Sequence, residues 1–275
     1  MLNTTYQLQH LTLMAAEEIQ MRRFYRDILG LAETNTDEKI YHYAFTQNGD
    51  PFLTLNFNGR KPTAPRQGLY HFALLLPDTA SLASLIEQLV FIQYPLGAGD
   101  HDVSEAFYLN DPDGNGIELY HDRPQSQWVW DHHFVRMGTK DVNVRALLAA
   151  KQGRWSGFPS ETTIGHLHFV GDHLSTGDHF FVRTLQMDMT ATMAQSAHFY
   201  SHNHYHHHHA YNTWFGEQIK PRALAETGLV SWRVLVDPPY FEHLQMQFSG
   251  HVHWVAADTF TVTDPFKSTL IIKKS

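Results

Sequence analysis

The sequence predicts an α+β chain of four strand–helix–three-strand modules, paired two by two into domains. Three observations predict it. The first is an internal repeat, the surest guide to architecture where one exists. At a constant offset of 156, His10 aligns with His166, Leu11 with Leu167, Phe24 with Phe180 and Leu29 with Leu185. The second is a further echo: GLYHFALLLPD (68–78) matches GLVSWRVLVDP (228–238) at an offset of 160. The third is Asp111-Pro112 before a final strand, matched by Asp264-Pro265 at an offset of 153.

Taken in order, module 1 (6–58) opens with an apolar strand at 7–14 and an amphipathic helix ending in Phe24, Tyr25 and Leu29. Strands follow at about 40–46 and 52–57, with a poorly marked one near 32–36. Module 2 (68–121) has strands at 69–76, about 91–94, 104–110 and 116–121, with a helix over 79–89, where apolar residues recur at helical spacing. The stretch 122–162 is a connector, polar at DRPQSQ, helical over 142–151 and rich in Gly, Pro and Ser at GRWSGFPSE. Modules 3 (163–216) and 4 (228–273) repeat the plan. The expected domains are 1–125, formed by modules 1 and 2, and 163–275, formed by modules 3 and 4, joined by a linker at 126–162.

Composition narrows the chemistry. The 275 residues include no cysteine, which excludes disulfides, thiolate metal sites and cysteine nucleophiles. A net charge of −8 without a basic run argues against nucleic acid. No stretch reaches the roughly 20 apolar residues of a membrane span, and MLNTTYQLQH reads as no signal peptide, so a cytoplasmic protein is expected. The 21 histidines raise the prospect of metal chemistry.

Two histidines stand at corresponding places on the first strands of modules 1 and 2, His10 and His71. Glu118 lies between Ile117 and Leu119 in an apolar strand that follows the turn Asp111-Pro112-Asp113-Gly114. A buried carboxylate needs a partner, and a metal shared with two imidazoles supplies one. The expected ligands are therefore His10, His71 and Glu118. Asp111 and Asp113 read as turn formers, without calcium-loop spacing.

With these residues the sequence resembles the vicinal oxygen chelate superfamily, which comprises glyoxalases, bleomycin resistance proteins and extradiol dioxygenases. HDVSEAFYLNDPDGNGIELYHDRP (101–124) is most similar to two-domain bacterial catechol 2,3-dioxygenases. The resemblance implies cup-shaped mixed sheets and one divalent metal, Fe(II) first, with Mn, Zn or Ni as alternatives. It implies a small catecholic diol and O₂ as substrates, and ring cleavage beside the diol. Two histidines and one carboxylate form the facial set of non-haem Fe(II) oxygenases, with positions left open. His101, 30 residues after His71, and Tyr108, ten before Glu118, take the places of the acid/base and substrate-binding groups. The acid/base histidine usual on the fourth strand of the metal-binding domain's first module has no counterpart there, because that strand carries Asn56 and Asn58. A glyoxalase-like isomerase or lyase would need a fourth ligand, for which only Asn56 is at hand. A binding protein of the same fold is the third alternative. The second half lacks two ligands, with Ser231 at the place of His71 and Ile271 at that of Glu118, though His166 remains. The run between His198 and His209 reads as a strand whose alternate histidines, His202, His204, His206 and His208, share a face; with His166 they suggest a second metal site. A homodimer is expected from exposed module edges.

Overall fold

The computed structural model describes residues 5–275. Each module has the expected strand–helix–three-strand plan, although 91–94, expected as a strand, is the end of the module 2 helix and its turn, and the second strand of that module starts later. Module 1 comprises β1 (Tyr6–Met14), α1 (Glu18–Arg22), β2 (Ala32–Asp37), β3 (Ile40–Ala44) and β4 (Leu53–Asn56). Module 2 comprises β5 (Arg66–Leu75), α2 (Thr79–Phe91), β6 (Gly97–Asp100), β7 (Ser104–Asn110) and β8 (Gly116–Asp122). The connector holds the hairpin β9 (Trp130–Asp131) and β10 (Phe134–Val135) and the helix α3 (Val144–Ala149). Module 3 comprises β11 (Thr163–Val170), α4 (Leu174–Asp178), β12 (Asp188–Met193), β13 (Ala197–Ser201) and β14 (His209–Asn212), followed by the short β15 (Lys220–Pro221). Module 4 comprises β16 (Gly228–Val236), α5 (Pro238–Gln247), β17 (His253–Ala256), β18 (Thr259–Thr263) and β19 (Thr269–Lys274). No helix among the described residues is long and apolar enough to cross a membrane.

The helices follow local rules. Asp78 caps α2 by accepting from the Ser81 N–H, and Leu82, Leu85, Ile86 and Leu89 bury one face at i, i+3, i+4 and i+7. Asp237 caps α5 in the same way, with Pro238 in its first turn. The repeat extends to a rare feature: α1 and α4 each continue as a π-turn, closed by Leu29 N–H to Phe24 C=O and Leu185 N–H to Phe180 C=O. The wider turn buries Phe24 with Tyr25, and Phe180 with Phe181.

The modules pair differently from the sequence expectation. One mixed sheet runs β17-β18-β19-β16-β1-β4-β3-β2, joining modules 4 and 1; the other runs β12-β13-β14-β11-β5-β8-β7-β6, joining modules 3 and 2. Neither sheet is confined to 1–125 or to 163–275, so the expected pairing of module 1 with 2 and 3 with 4 is corrected. The connector between β4 and β5 contains Pro62 and Pro65. Residues that precede proline favour extended backbone, and this segment leads from β4 in the first sheet to β5 in the second. β1 then takes β16 as its antiparallel neighbour and β5 takes β11. One apolar core, including Leu11, Phe72, Phe169 and Trp232, runs through all four modules.

Candidate metal centre

The register of the second sheet explains the site. Glu118 on β8 lies opposite Ala73 on β5, and Ala73 lies opposite His166 on β11. The three form a row across three strands. Ala73 is fully buried and small, so the side chains on either side meet above it. His71 is two residues before Ala73 and therefore points to the same face. Gly116 lets β8 approach: a Cβ there would stand 2.4 Å from the Tyr70 carbonyl oxygen and 2.9 Å from the Cβ of His71. The turn before it is held by Asp111, which accepts from the N–H groups of Asp113 and Asn115 and from the Tyr25 hydroxyl. Asp113 accepts from the Ala16 and Glu17 N–H groups, which ties this turn to module 1. Both aspartates thus act in the turn, as their sequence context indicates.

His71 Nε2 and His166 Nε2 each lie 3.1 Å from Glu118 Oε2, and 3.4 Å from each other. These are the metal-competent trio among the described residues. Donor atoms about 2.1 Å from one ion stand about 3.0 Å apart at right angles and about 3.4 Å apart at a tetrahedral angle. The observed triangle has that size. Its electrostatics agree. Glu118 is 3% exposed and His166 1%. Burial alone would raise the Glu118 carboxyl, but His166, then His71, hold it well below its usual value, so it is ionised. Burial pushes the His71 imidazole below its usual value, towards the neutral form that ligates metals. Two imidazoles and a carboxylate that converge at these distances fit a divalent cation.

His10 is not in this cluster. It sits on β1 in the other sheet, with Nε2 2.9 Å from Thr54 Oγ1. The reason is the module pairing: the strand antiparallel to β5 is β11, so the first-strand histidine beside His71 is His166, the repeat partner of His10. Sequence reasoning had that equivalence and set it beside the wrong strand.

His101 and Tyr108 do lie at the cluster. Tyr108 is the cross-strand partner of Glu118, and its ring centroid is 5.8 Å from that of His71. His101 Nδ1 is 2.8 Å from the Gly138 carbonyl, which can only accept, so Nδ1 carries the proton. Nε2 then accepts from the Tyr108 hydroxyl at 2.6 Å. Burial, and next the Glu118 charge, push the Tyr108 phenol well above its usual value.

A residue not anticipated completes the surround. His207 lies just before β14, the fourth strand of module 3, with its ring centroid 4.1 Å from that of His166. The histidine run is not a continuous strand. Residues 202–208 form a loop between β13 and β14, with Asn203 and His204 at positive φ, so the alternate histidines do not share a strand face. The loop carries His206 and His207 inward, and burial lowers His207 well below its usual value. The missed signal was the repeat itself: once module 3 is read as the partner of module 2, its fourth strand is the place to look for the missing acid/base histidine.

The cluster opens into a cavity of about 990 Å³. His71, His101, Tyr108, Glu118, His166 and His207 reach it. Leu69, Tyr70, Met137, Phe199, Trp214 and Phe215 give it apolar and aromatic walls.

The model of the Glyoxalase/Bleomycin resistance protein/Dioxygenase superfamily matches residues 7–119. Catechol-2,3-dioxygenase of Bacillus subtilis (strain 168) is 38% identical over 213 residues, which are 74% of each chain. The chain belongs to this superfamily. It is an enzyme of the dioxygenase or glyoxalase kind within it. Among solved structures, glyoxalase I from Zea mays superposes over 98% of this chain and 93% of its own at a TM-score of 0.55 and 11% identity. The cppA protein from Streptococcus pneumoniae TIGR4 superposes over 99% of this chain and 100% of its own at a TM-score of 0.56, also at 11% identity. At such identities the likeness is one of fold, and it extends over all four modules of the superfamily architecture.

Proposed function

We propose that this enzyme is an extradiol-type ring-cleaving dioxygenase that acts on a small catecholic substrate with Fe(II) held by His71, His166 and Glu118. The observation that carries this reading is the three-donor cluster on an aromatic-walled cavity, with no fourth His, Asp or Glu donor joined to it among the described residues. Three protein ligands leave positions for both diol oxygens and O₂, whereas a glyoxalase-type isomerase needs a fourth. The relative named catechol-2,3-dioxygenase supports the same class. A bound divalent metal supplies a template for diol and O₂ and a path for electrons between them.

The chain's own groups do the rest. Tyr70, Phe199 and Trp214 flank a flat ring and exclude water. The Tyr108 hydroxyl donates to His101 Nε2, which leaves its oxygen lone pairs free to accept from a substrate hydroxyl. His207 takes the acid/base role that the superfamily resemblance assigns to a fourth-strand histidine, receiving a diol proton at Nε2.

The test is anaerobic reconstitution with Fe(II) followed by oxygen uptake with a panel of catechols. The expected result is catechol-dependent uptake with a yellow ring-opened product, lost in Glu118→Ala together with the metal. One bound metal per chain with no uptake from any catechol would overturn the dioxygenase assignment.

A further inference from the structure

Asp122, His206 and His207 form a hydrogen-bonded line that ends at the cavity. His206 Nε2 is 2.8 Å from Asp122 Oδ1. His206 Nδ1 is 2.6 Å from His207 Nδ1. An ionised carboxylate can only accept, so His206 Nε2 carries a proton. With one proton on the His206 ring, its Nδ1 accepts and His207 donates from its own Nδ1. The other nitrogen of His207, Nε2, is left with a lone pair on the side of the cavity that His207 lines.

The far end of the line is equally fixed. The second oxygen of Asp122 accepts from the Tyr205 hydroxyl at 2.8 Å, and the Tyr120 hydroxyl lies 3.0 Å from that of Tyr205. Glu118, Tyr120 and Asp122 alternate along β8, so the strand that carries the carboxylate of the metal cluster carries this second carboxylate on the same face. The loop is held as well: the His206 carbonyl accepts from Thr190 Oγ1 at 2.5 Å, and the His206 side chain is fully buried. A buried imidazole has no water to correct its tautomer, so its partners decide it.

We infer that Asp122 and His206 are positioning residues that hold His207 in the Nδ1–H tautomer, with Nε2 presented to substrate as a proton acceptor. The inference rests on the proposed function for its catalytic meaning, but not for its test. Asparagine at position 122 can keep its carbonyl oxygen as acceptor of the Tyr205 hydroxyl and turn its amide N–H to His206 Nε2. The proton order would then reverse, and His207 would carry its proton at Nε2, where it cannot accept.

The experiment is long-range ¹H–¹⁵N correlation on the full chain labelled with ¹⁵N-histidine and loaded with diamagnetic Zn(II). His206→Gln and His207→Gln assign the two rings. Wild type is expected to show His207 protonated at Nδ1 alone and His206 at Nε2 alone. Asp122→Asn is expected to move the His207 proton to Nε2 while zinc content stays at one per chain. With an active catechol, kcat should fall roughly 10–100-fold with KM little changed, as is usual when a supporting hydrogen bond is lost, and Asp122→Glu should recover part of it. A wild-type His207 carrying a proton on Nε2 overturns the inference, even if Asp122→Asn fails to fold. If no catechol is turned over, the dioxygenase reading falls and the tautomer result still decides this one.

Discussion

The two sheets are built on one plan and differ at three of the four positions that make up the metal row. In the sheet of modules 2 and 3 the row across β8, β5 and β11 reads Glu118, Ala73, His166, with His71 two residues before the alanine. In the sheet of modules 1 and 4 the same row, across β19, β16 and β1, reads Ile271, Arg233, His10, with Ser231 two residues before the arginine. The backbone is alike in strand order, direction and register. One row converges two imidazoles and a carboxylate over a methyl group. The other keeps a single imidazole and places a guanidinium where the methyl should be. Burial, and next the charge of Arg233, lower His10 to about 4. The fold repeats the backbone of the row twice, and only one copy carries the three donors with a small residue between them.

The strongest way to break the difference is Ala73→Arg. A cation at the centre of the row should abolish stoichiometric metal binding, measured by elemental analysis after dialysis, while Ala73→Ser should retain it. A metal content of one per chain in Ala73→Arg would refute the role given to Ala73. The difference can also be erased from the other side. Ser231→His, Arg233→Ala and Ile271→Glu together should give the first sheet its own cluster with His10 and raise the metal content to two per chain. The metal-free triple variant should be less stable than wild type by roughly 1 kcal/mol or more, because it sets a carboxylate without its cation in place of the half-buried Ile271.

A smaller effect separates His10 from the cluster altogether. His10→Gln should leave metal content unchanged, whereas His166→Gln should abolish it. The effect of His10 is on acid stability. Its folded value of about 4 lies below the 6.5 of an unfolded histidine, so between these values the unfolded chain binds the proton and the folded one does not. Stability should therefore fall as pH drops from 6.5 towards 4. His202, at about 4, and His208, at about 3, add to the same slope. His10→Gln should flatten it by roughly 1–3 kcal/mol across that window, read from urea midpoints at pH 7 and pH 5. Equal midpoint shifts in variant and wild type would show that His10 is not neutral in the fold.

Local pattern was legible and long-range pairing was not. The strands β1, β5, β7 and β8, the helix α2, the capped turn at Asp111 and the equivalence of His10 with His166 all follow from periodicity and repeat. β6 was misplaced at 91–94, where Phe91, Ile92 and Tyr94 read as a strand but form the end of α2 and its turn, with Gln93 at positive φ. The true β6, Gly97–Asp100, has almost no side-chain signal and exists because β7 pairs with it. His10 was grouped with His71 for a related reason. Sequence says that two first strands are alike, and only the folded register says which of them lie side by side.

The order of the modules also has a consequence during synthesis. The sheet with the His71–His166–Glu118 cluster is encoded in one unbroken stretch, from Arg66 in β5 to Asn212 in β14. The other sheet is assembled from the two ends of the chain, with Tyr6 set against Val236. On the ribosome, module 1 emerges first and its long β1 edge must wait until module 4 has been made. Contacts so distant along the chain form slowly, and an open strand edge invites wrong partners meanwhile. The sheet that holds the cluster can close early, and the other keeps a strand edge open until its last module is made.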